Sequence, residues 1–444
     1  MDFPSTPSPI IAAMNPEPGP AMRLDQRAVH KATWRLIPYL FMCYILNYLD
    51  RFNISYAALE MKADLHFSDT VYSLGAGVFF IGYVLFEIPS NLALEKVGAR
   101  AWISRIMVTW GLISVCMMFI HTASNFYALR FLLGVSEAGF FPGILLYLSY
   151  WIPSKDRARA FALFLTSTSL AGVLGGPISA YFLNLRGQGG MQGWQWLFLL
   201  EGLPSFLLGF VTYFYLTDKP RDAKWLTEEE RNSLEKTMEE ERRGITVRHS
   251  LSLTETLTHP RVWRLCLLYF SIVISFYGVA FWLPQIVKGF SGLDNVTVSL
   301  LSALPYLAAS VGMVWVARHS DKTGERRRHV AVCAFTAALA LLLGSVFQQD
   351  HPYGAFLMLC VTATGIWSTL GPFWSMPSNF LTGRSAAAGL ALINSVGNIG
   401  GFVGPNIIGY IKEATQRFES GMVVLAVTLI VAGVLALSIS KEHA

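Results

Sequence analysis

The chain has 444 residues, 53% of them hydrophobic and only 14% charged, with a mean hydropathy of +0.45. Soluble domains average about 25% charged residues, so the composition excludes a water-soluble globular protein. The net charge of +5 is a property of the loops and points to no nucleic-acid partner.

Apolar stretches of about 20 residues recur along the chain, each long enough to cross a ~30 Å hydrocarbon layer. Residues 1–35, rich in Pro and polar side chains, read as a disordered tail without the pattern of a signal peptide. Spans are then expected near 36–58, 71–93, 101–121, 126–148, 159–183 and 196–216. A second set follows near 262–289, 298–317, 329–347, 353–376, 384–411 and 420–440. Between the two sets lies a polar linker, 217–260, in which Thr227 and Glu230 form a capping-box start for a short surface helix. The expected fold is all-α and integral to the membrane. Its units are a tail (1–35), a six-helix bundle (36–216), a linker (217–260) and a second six-helix bundle with a short tail (261–444), the two bundles enclosing a central cavity. The five cysteines, Cys43, Cys116, Cys266, Cys333 and Cys360, all lie in apolar stretches and read as small buried hydrophobes. No metal, cofactor or catalytic group is expected, and the protein is not read as an enzyme. Each bundle can pack on the other around one path, so a monomer in membrane lipid is the expected working unit.

Lys and Arg set the expected orientation. With the N-terminus inside, the external loops hold only Lys62, Arg186, Lys288, Lys412 and Arg417 of the 34 basic residues. Both termini are therefore expected in the cytoplasm. The halves also echo each other. NLALEKVGARAW after the second span carries Glu95, Gly98 and Arg100; ARHSDKTGERRR after the eighth carries Asp321, Gly324 and Arg326, each shifted by 226 residues. Acid, glycine and base at that spacing suit a latch: Gly permits the tight turn, and the charges pair across it to hold the halves closed on the cytoplasmic side. Ordinary juxtamembrane charge is the alternative for either copy alone.

Ionisable groups inside spans are the main functional signal. A charge at the bilayer centre costs roughly 2.5–3.5 kcal/mol on insertion scales, so a chain keeps one where a cavity and partners await it. Asp50 and Arg51 stand side by side in span one, and Arg130 and Glu137 lie seven apart on span four. Arg51 and Arg130 are candidates to bind a solute carboxylate through a planar, permanently charged fork. Asp50 and Glu137 are candidates for proton coupling. Each has a structural alternative: Asp50 neutralising Arg51 or Arg130, and Arg130 and Glu137 pairing only with each other. Glu87 in span two and Glu201 in span six read as structural. Tyr48, beside Asn47, and Tyr83, Trp374 and Asn394 are candidate pocket residues, with packing alone as the other reading. Gly and Pro cluster in spans four, five and eleven, for close packing or for kinks.

These motifs resemble the major facilitator superfamily from Trp34 to Ser440 and, within it, the anion:cation symporters that carry sugar acids, tartrate and aromatic acids. The resemblance rests on NYLDRFNISYA, YVLFEIPSNL, LRFLLGVSEAGFFPGILLYLSYW, GWQWLFLLEGLPS, WLTEEER and ALINSVGNIGGFVGP. Asn91 and Ala317 stand where the loop motif usually has its first glycine. The resemblance implies proton coupling through Asp50 and Glu137, substrate binding by Arg51, and substrate contacts at Tyr48, Tyr83, Trp374 and Asn394. Thr168 stands where sugar-acid relatives carry a Gln, so a shorter hydroxy-diacid such as tartrate, or an aromatic acid, fits at least as well as a long sugar acid. The expectation is proton-coupled uptake of a small organic anion across the inner membrane. Uptake of an aromatic or sugar acid, and export or exchange of an organic anion, remain alternatives.

Overall fold

The computed structural model of the chain describes residues 24–246, 255, 258–348, 350–377 and 383–439. Described secondary structure is helical throughout, with no strand among the described residues. The first half holds α1 (Leu24–Asp64), α2 (Asp69–Val97), α3 (Ala99–Cys116), α4 (Ala123–Glu137), α5 (Phe140–Ser149), α6 (Ser154–Leu183) and α7 (Gly193–Tyr215). The linker helix α8 (Glu228–Thr246) follows. The second half holds α9 (Pro260–Ser291), α10 (Asn295–Leu301), α11 (Ala303–Thr323), α12 (Arg326–Phe347), α13 (Pro352–Ser375), α14 (Gly383–Thr415) and α15 (Phe418–Ser438). α4 with α5 makes the fourth span, and α10 with α11 the eighth. Ten of the resulting spans are long and apolar enough to cross a membrane on length and composition. α1, with Asp50 and Arg51 at mid-length, and the Gly- and Asn-rich α14 complete twelve.

α1 starts at Leu24, so residues 24–35, expected in the disordered tail, are its first turns; residues 1–23 lie outside the described residues. Ala28, Val29, Ala32 and Leu36 recur at helical spacing and are buried, which gives this stretch an apolar face to pack. It meets α8, where Lys31 pairs with Glu230 at 2.7 Å. The capping box forms as the spacing predicts: Thr227 N–H donates to Glu230 Oε2 (3.0 Å) and Glu230 N–H to Thr227 Oγ1 (3.2 Å). Glu230, Leu234 and Met238, four apart, are buried, and Arg157 binds Glu241 at 3.0 Å. The linker helix therefore docks on the first half rather than only presenting a solvated face.

The halves meet along α1 with α9, α2 with α14, and α6 with α10 and α11. The glycines of α14 serve close approach. A Cβ on Gly404 would stand 2.1 Å from the Ile274 carbonyl oxygen, and one on Gly401 would stand 2.5 Å from the Phe80 ring of the other half. An even number of spans puts the first and last described residues, Leu24 and Ile439, at one end, the near end. At the far end the halves are tied by polar contacts. Tyr72 Oη donates to Phe281 O (2.6 Å), Thr70 N–H to Glu413 Oε2 (2.6 Å) and Lys62 Nζ to Gln285 Oε1 (3.0 Å). Asp69 takes both Lys62 and, at 3.1 Å, Lys412.

Candidate functional site

Neighbouring residues on an α-helix project about 100° apart, and Asp50 and Arg51 diverge accordingly. Asp50 is fully buried within the first half. Trp110 Nε1 (3.1 Å) and Ser114 Oγ (2.7 Å), both on α3, donate to it, and so does Ser205 Oγ on α7. It pairs with neither Arg51 nor Arg130, the partners named in the structural alternative for this residue. Serine hydroxyls both donate and accept. This shell can therefore satisfy the carboxylate and, by rotating, the carboxylic acid.

Arg51 turns to the seam between the halves. Its Nη2 lies 2.7 Å from Glu137 Oε2 and its Nε 3.3 Å from the same oxygen. Asn47, one turn earlier, knits the pair together: its Nδ2 donates to Glu137 Oε2 (2.8 Å) and its Oδ1 accepts from Arg51 Nη2 (3.4 Å). Arg51 Nη1 reaches across to Tyr277 Oη of α9 at 3.4 Å. The rings of Tyr48, Phe79 and Tyr83 stand 5.4, 5.1 and 5.4 Å from its Cζ, within cation–π range. Glu137 Oε1 is buried and accepts no hydrogen bond.

Glu137 owes its position to a break in the fourth span. It is the last residue of α4; Ala138 follows with ψ 130° and Gly139 with φ 83°. A side chain at Gly139 would be strained by that φ, and its Cβ would stand 2.4 Å from Ser90 Oγ. The glycine–proline run of this span thus makes a kink, whereas that of α14 makes close packing.

Arg130, though on the same span, does not pair with Glu137. It is fully buried and donates to the backbone carbonyls of Gly75 (3.2 Å) and Ala76 (3.3 Å) on α2, leaving Nη1 without a partner. Asn394, assigned to the pocket from the sequence, donates to Glu87 Oε1 at 2.5 Å, and Ser395 donates to Glu87 Oε2 at 3.0 Å. Glu87 is therefore a tie between the halves. Trp374 sits edge-on to Tyr269, ring centroids 4.9 Å apart, toward the near end. Glu201 is buried beside Asn53 and Tyr56; it accepts from Ser179 (3.3 Å) and its Oε2 has no partner. Thr168 bonds to its own helix, at Leu165 O (2.9 Å).

The repeated loop motif behaves differently in its two copies. Arg326 pairs with Asp321 at 2.6 Å across the Gly324 turn, φ 70°, as expected. In the first copy Glu95 is exposed, and it is Asp218, at the end of the sixth span, that accepts from the Arg100 N–H (2.8 Å) beside Gly98, φ 98°. The Arg100 guanidinium lies over Tyr213, 4.5 Å from its centroid. Both contacts stay within one half, so the latch does not bridge the halves here. The reason is geometric: Asp321–Arg326 closes over its own short loop, and Asp218 reaches Arg100 from the end of the sixth span of the same half. The sequence reading also missed Tyr277, and the Trp110, Ser114 and Ser205 shell. Serines and tryptophans in apolar spans carry no spacing signal that separates ligands from packing.

Comparison with known proteins gives a consistent picture. The family description Major Facilitator Superfamily matches residues 40–405. A protein of Agrobacterium vitis named "Putative tartrate transporter" is 48% identical over 94% of this chain and 92% of its own length. A "Quinolone resistance transporter" of Acinetobacter baumannii is 40% identical over 92% of this chain and 94% of its own. Among solved structures, an inward-facing, unoccupied bacterial homologue of the human lysosomal transporter Spinster superposes with a TM-score of 0.75 at 18% identity, covering 91% of this chain and 96% of that one.

Proposed function

The chain belongs to the major facilitator superfamily, and from that premise we propose that it imports a small organic anion, tartrate or a related hydroxy acid, together with protons. The observation that carries this reading is the buried Arg51–Glu137 pair at the seam, with Glu137 Oε1 left open. In the proposed cycle a proton adds to Glu137 Oε1. The neutral acid holds Arg51 less strongly, and the guanidinium turns its fork to the substrate carboxylate. Tyr277 and the Tyr48, Phe79 and Tyr83 rings keep it in place. Asp50 is the second proton site, tolerant of both protonation states through its hydroxyl shell. Glu87 with Asn394 ties the halves on the near side of the site until the cargo is released. The near end is assigned to the cytoplasm from the distribution of Lys and Arg. A pH gradient then supplies about 1.4 kcal/mol per unit for each proton, and the membrane potential about 2.3 kcal/mol per 100 mV for each net charge.

The test is uptake of labelled tartrate into proteoliposomes with and without an inward proton gradient. Gradient-dependent accumulation, absent with Arg51→Gln, supports the reading. Gradient-independent equilibration would leave a uniporter. The similarity to a quinolone resistance transporter supports a second reading, export of an organic acid. It would be favoured if proteoliposomes expelled the acid against a gradient but did not accumulate tartrate.

A further inference from the structure

Four of the five basic residues assigned to the outer loops, Lys62, Lys288, Lys412 and Arg417, line one far-end cavity of about 460 Å³. In a set of loops kept poor in positive charge, such convergence calls for a reason. Glu419 is the only carboxylate in the lining, and it lies 3.3 Å from Arg417. Asp69, beneath, is shared by Lys62 and Lys412. Glu413, held by the Thr70 N–H, also faces Lys62; the four cations still outnumber these three carboxylates. Both lysine ammoniums also rest near the Trp282 ring, at 5.4 and 5.2 Å from its centroid. Gln285 adds an independent sign. It lines the same cavity and is more than nine-tenths buried; its Oε1 accepts from Lys62, and its Nε2 makes no well-aligned hydrogen bond and has only the Tyr72 hydroxyl, itself donating to Phe281 O, beside it. A buried amide donor with so weak an acceptor, beside two ammoniums that share one carboxylate, is an arrangement a further carboxylate completes.

We propose that this cavity is a recruitment site for small hydroxy-dicarboxylates, in which a ligand carboxylate replaces Asp69 as the partner of Lys62 and Lys412. Lys62 and Asp69 belong to the first half and Lys412 to the second, so the exchange removes a tie that holds the far end shut. Arrival of the anion and opening of its own entrance become one event. The excess of cations also steers anions toward the mouth, an effect that weakens with salt. The proposal rests on the reading that the cargo is an anion entering from the far end.

The experiment uses the full chain, purified in detergent, with Ala63→Cys in the cavity lining and the unsubstituted chain as the blank for the five native thiols. The rates of alkylation by an anionic and a cationic methanethiosulfonate are compared at low and high salt, with and without tartrate. The anionic reagent should be favoured about tenfold at low salt relative to a free thiol. Millimolar tartrate should slow it more than chloride at equal ionic strength. The charge preference should fall in Lys288→Gln/Arg417→Gln, and the tartrate protection in Lys412→Gln. No preference for the anionic reagent, or tartrate protection that survives Lys412→Gln, would overturn the proposal. Tartrate transport by wild-type proteoliposomes without cavity protection would leave the import reading standing and remove this site. Protection without any tartrate transport would do the reverse.

Discussion

The two six-helix halves divide their chemistry unevenly. Every buried Asp, Glu, Lys or Arg side chain among the described span residues, Asp50, Arg51, Glu87, Arg130, Glu137 and Glu201, belongs to the first half. The second half buries only neutral polar groups within its spans, including Gln285, Asn394 and Asn398, with aromatic rings such as Tyr277 and Trp367. The first half therefore holds the groups that can bind protons or fix charge. The second offers hydrogen bonds and ring faces to whatever sits at the seam. In the buried middle of the seam the ties, Arg51 to Tyr277 and Glu87 to Asn394, run from a charged group to a neutral one, so the second half strands no charge of its own there; its charged contacts, Lys412 and Glu413, lie at the far end.

Arg51→Gln should break this division most severely. It leaves the Glu137 carboxylate buried and unpaired, a loss of about 3–5 kcal/mol for a buried pair. Labelled-anion uptake should fall by at least 100-fold, and the melting temperature in detergent should drop. Adding Glu137→Gln should restore most of the melting temperature but none of the uptake. Arg51→Lys should also fail in transport, because an ammonium cannot present the planar fork.

Asp50→Asn should separate the proton function from anion binding. Accumulation against a gradient should vanish while anion exchange at equal concentrations persists. Uphill uptake at the wild-type level in counterflow-free vesicles would return Asp50 to a packing role.

Smaller effects are expected from the neutral half. Tyr277→Phe removes one long hydrogen bond to a charged group, worth about 1 kcal/mol. The KM for the anion should rise roughly fivefold, with little change in maximal rate. Asn394→Ala should loosen the tie to Glu87 and alter the maximal rate more than KM. The reverse pattern in either variant would place binding energy on the opposite side of the seam.

The smallest effect concerns the docked linker helix. Burial pushes the Glu230 carboxyl up, but the hydrogen bonds from Lys31 and the Thr227 backbone outweigh it and hold the group below its usual range. A lowered carboxylate contributes stability above its unfolded pKa of about 4.3, and the contribution is lost as pH falls through the folded value. Lys31→Gln should therefore lower the melting temperature slightly at pH 7, and less at pH 4. Exposed ion pairs contribute only about 0–1 kcal/mol, so a large pH-dependent gap would mean that α8 does more than dock.

Much of this arrangement is legible in the sequence, because charges in apolar spans are costly and therefore conspicuous. The spans are legible as apolar stretches and the half-chain repeat as a recurring motif, and that cost is why Asp50, Arg51, Glu137 and Arg130 stand out and are found buried. Partnership is less legible. Seven-residue spacing places Arg130 and Glu137 on one helix face, but the break at Ala138–Gly139 and the nearby α2 carbonyls give each a different partner. Adjacent Asp50 and Arg51 invite a shared cavity, yet the helical turn between them sends one into the bundle and the other to the seam. Likewise Glu95 fits the acid position of the latch, while Asp218, 118 residues from Arg100, takes the contact because the end of the sixth span packs beside the second loop.

The most direct test of proton-coupled anion transport is acidification inside proteoliposomes carrying a trapped pH dye, on addition of tartrate, with Asp50→Asn vesicles as the control for passive acid leak. The account predicts acidification with the wild type that the variant lacks. Labelled tartrate entry with no acidification, or equal acidification in both, would contradict it.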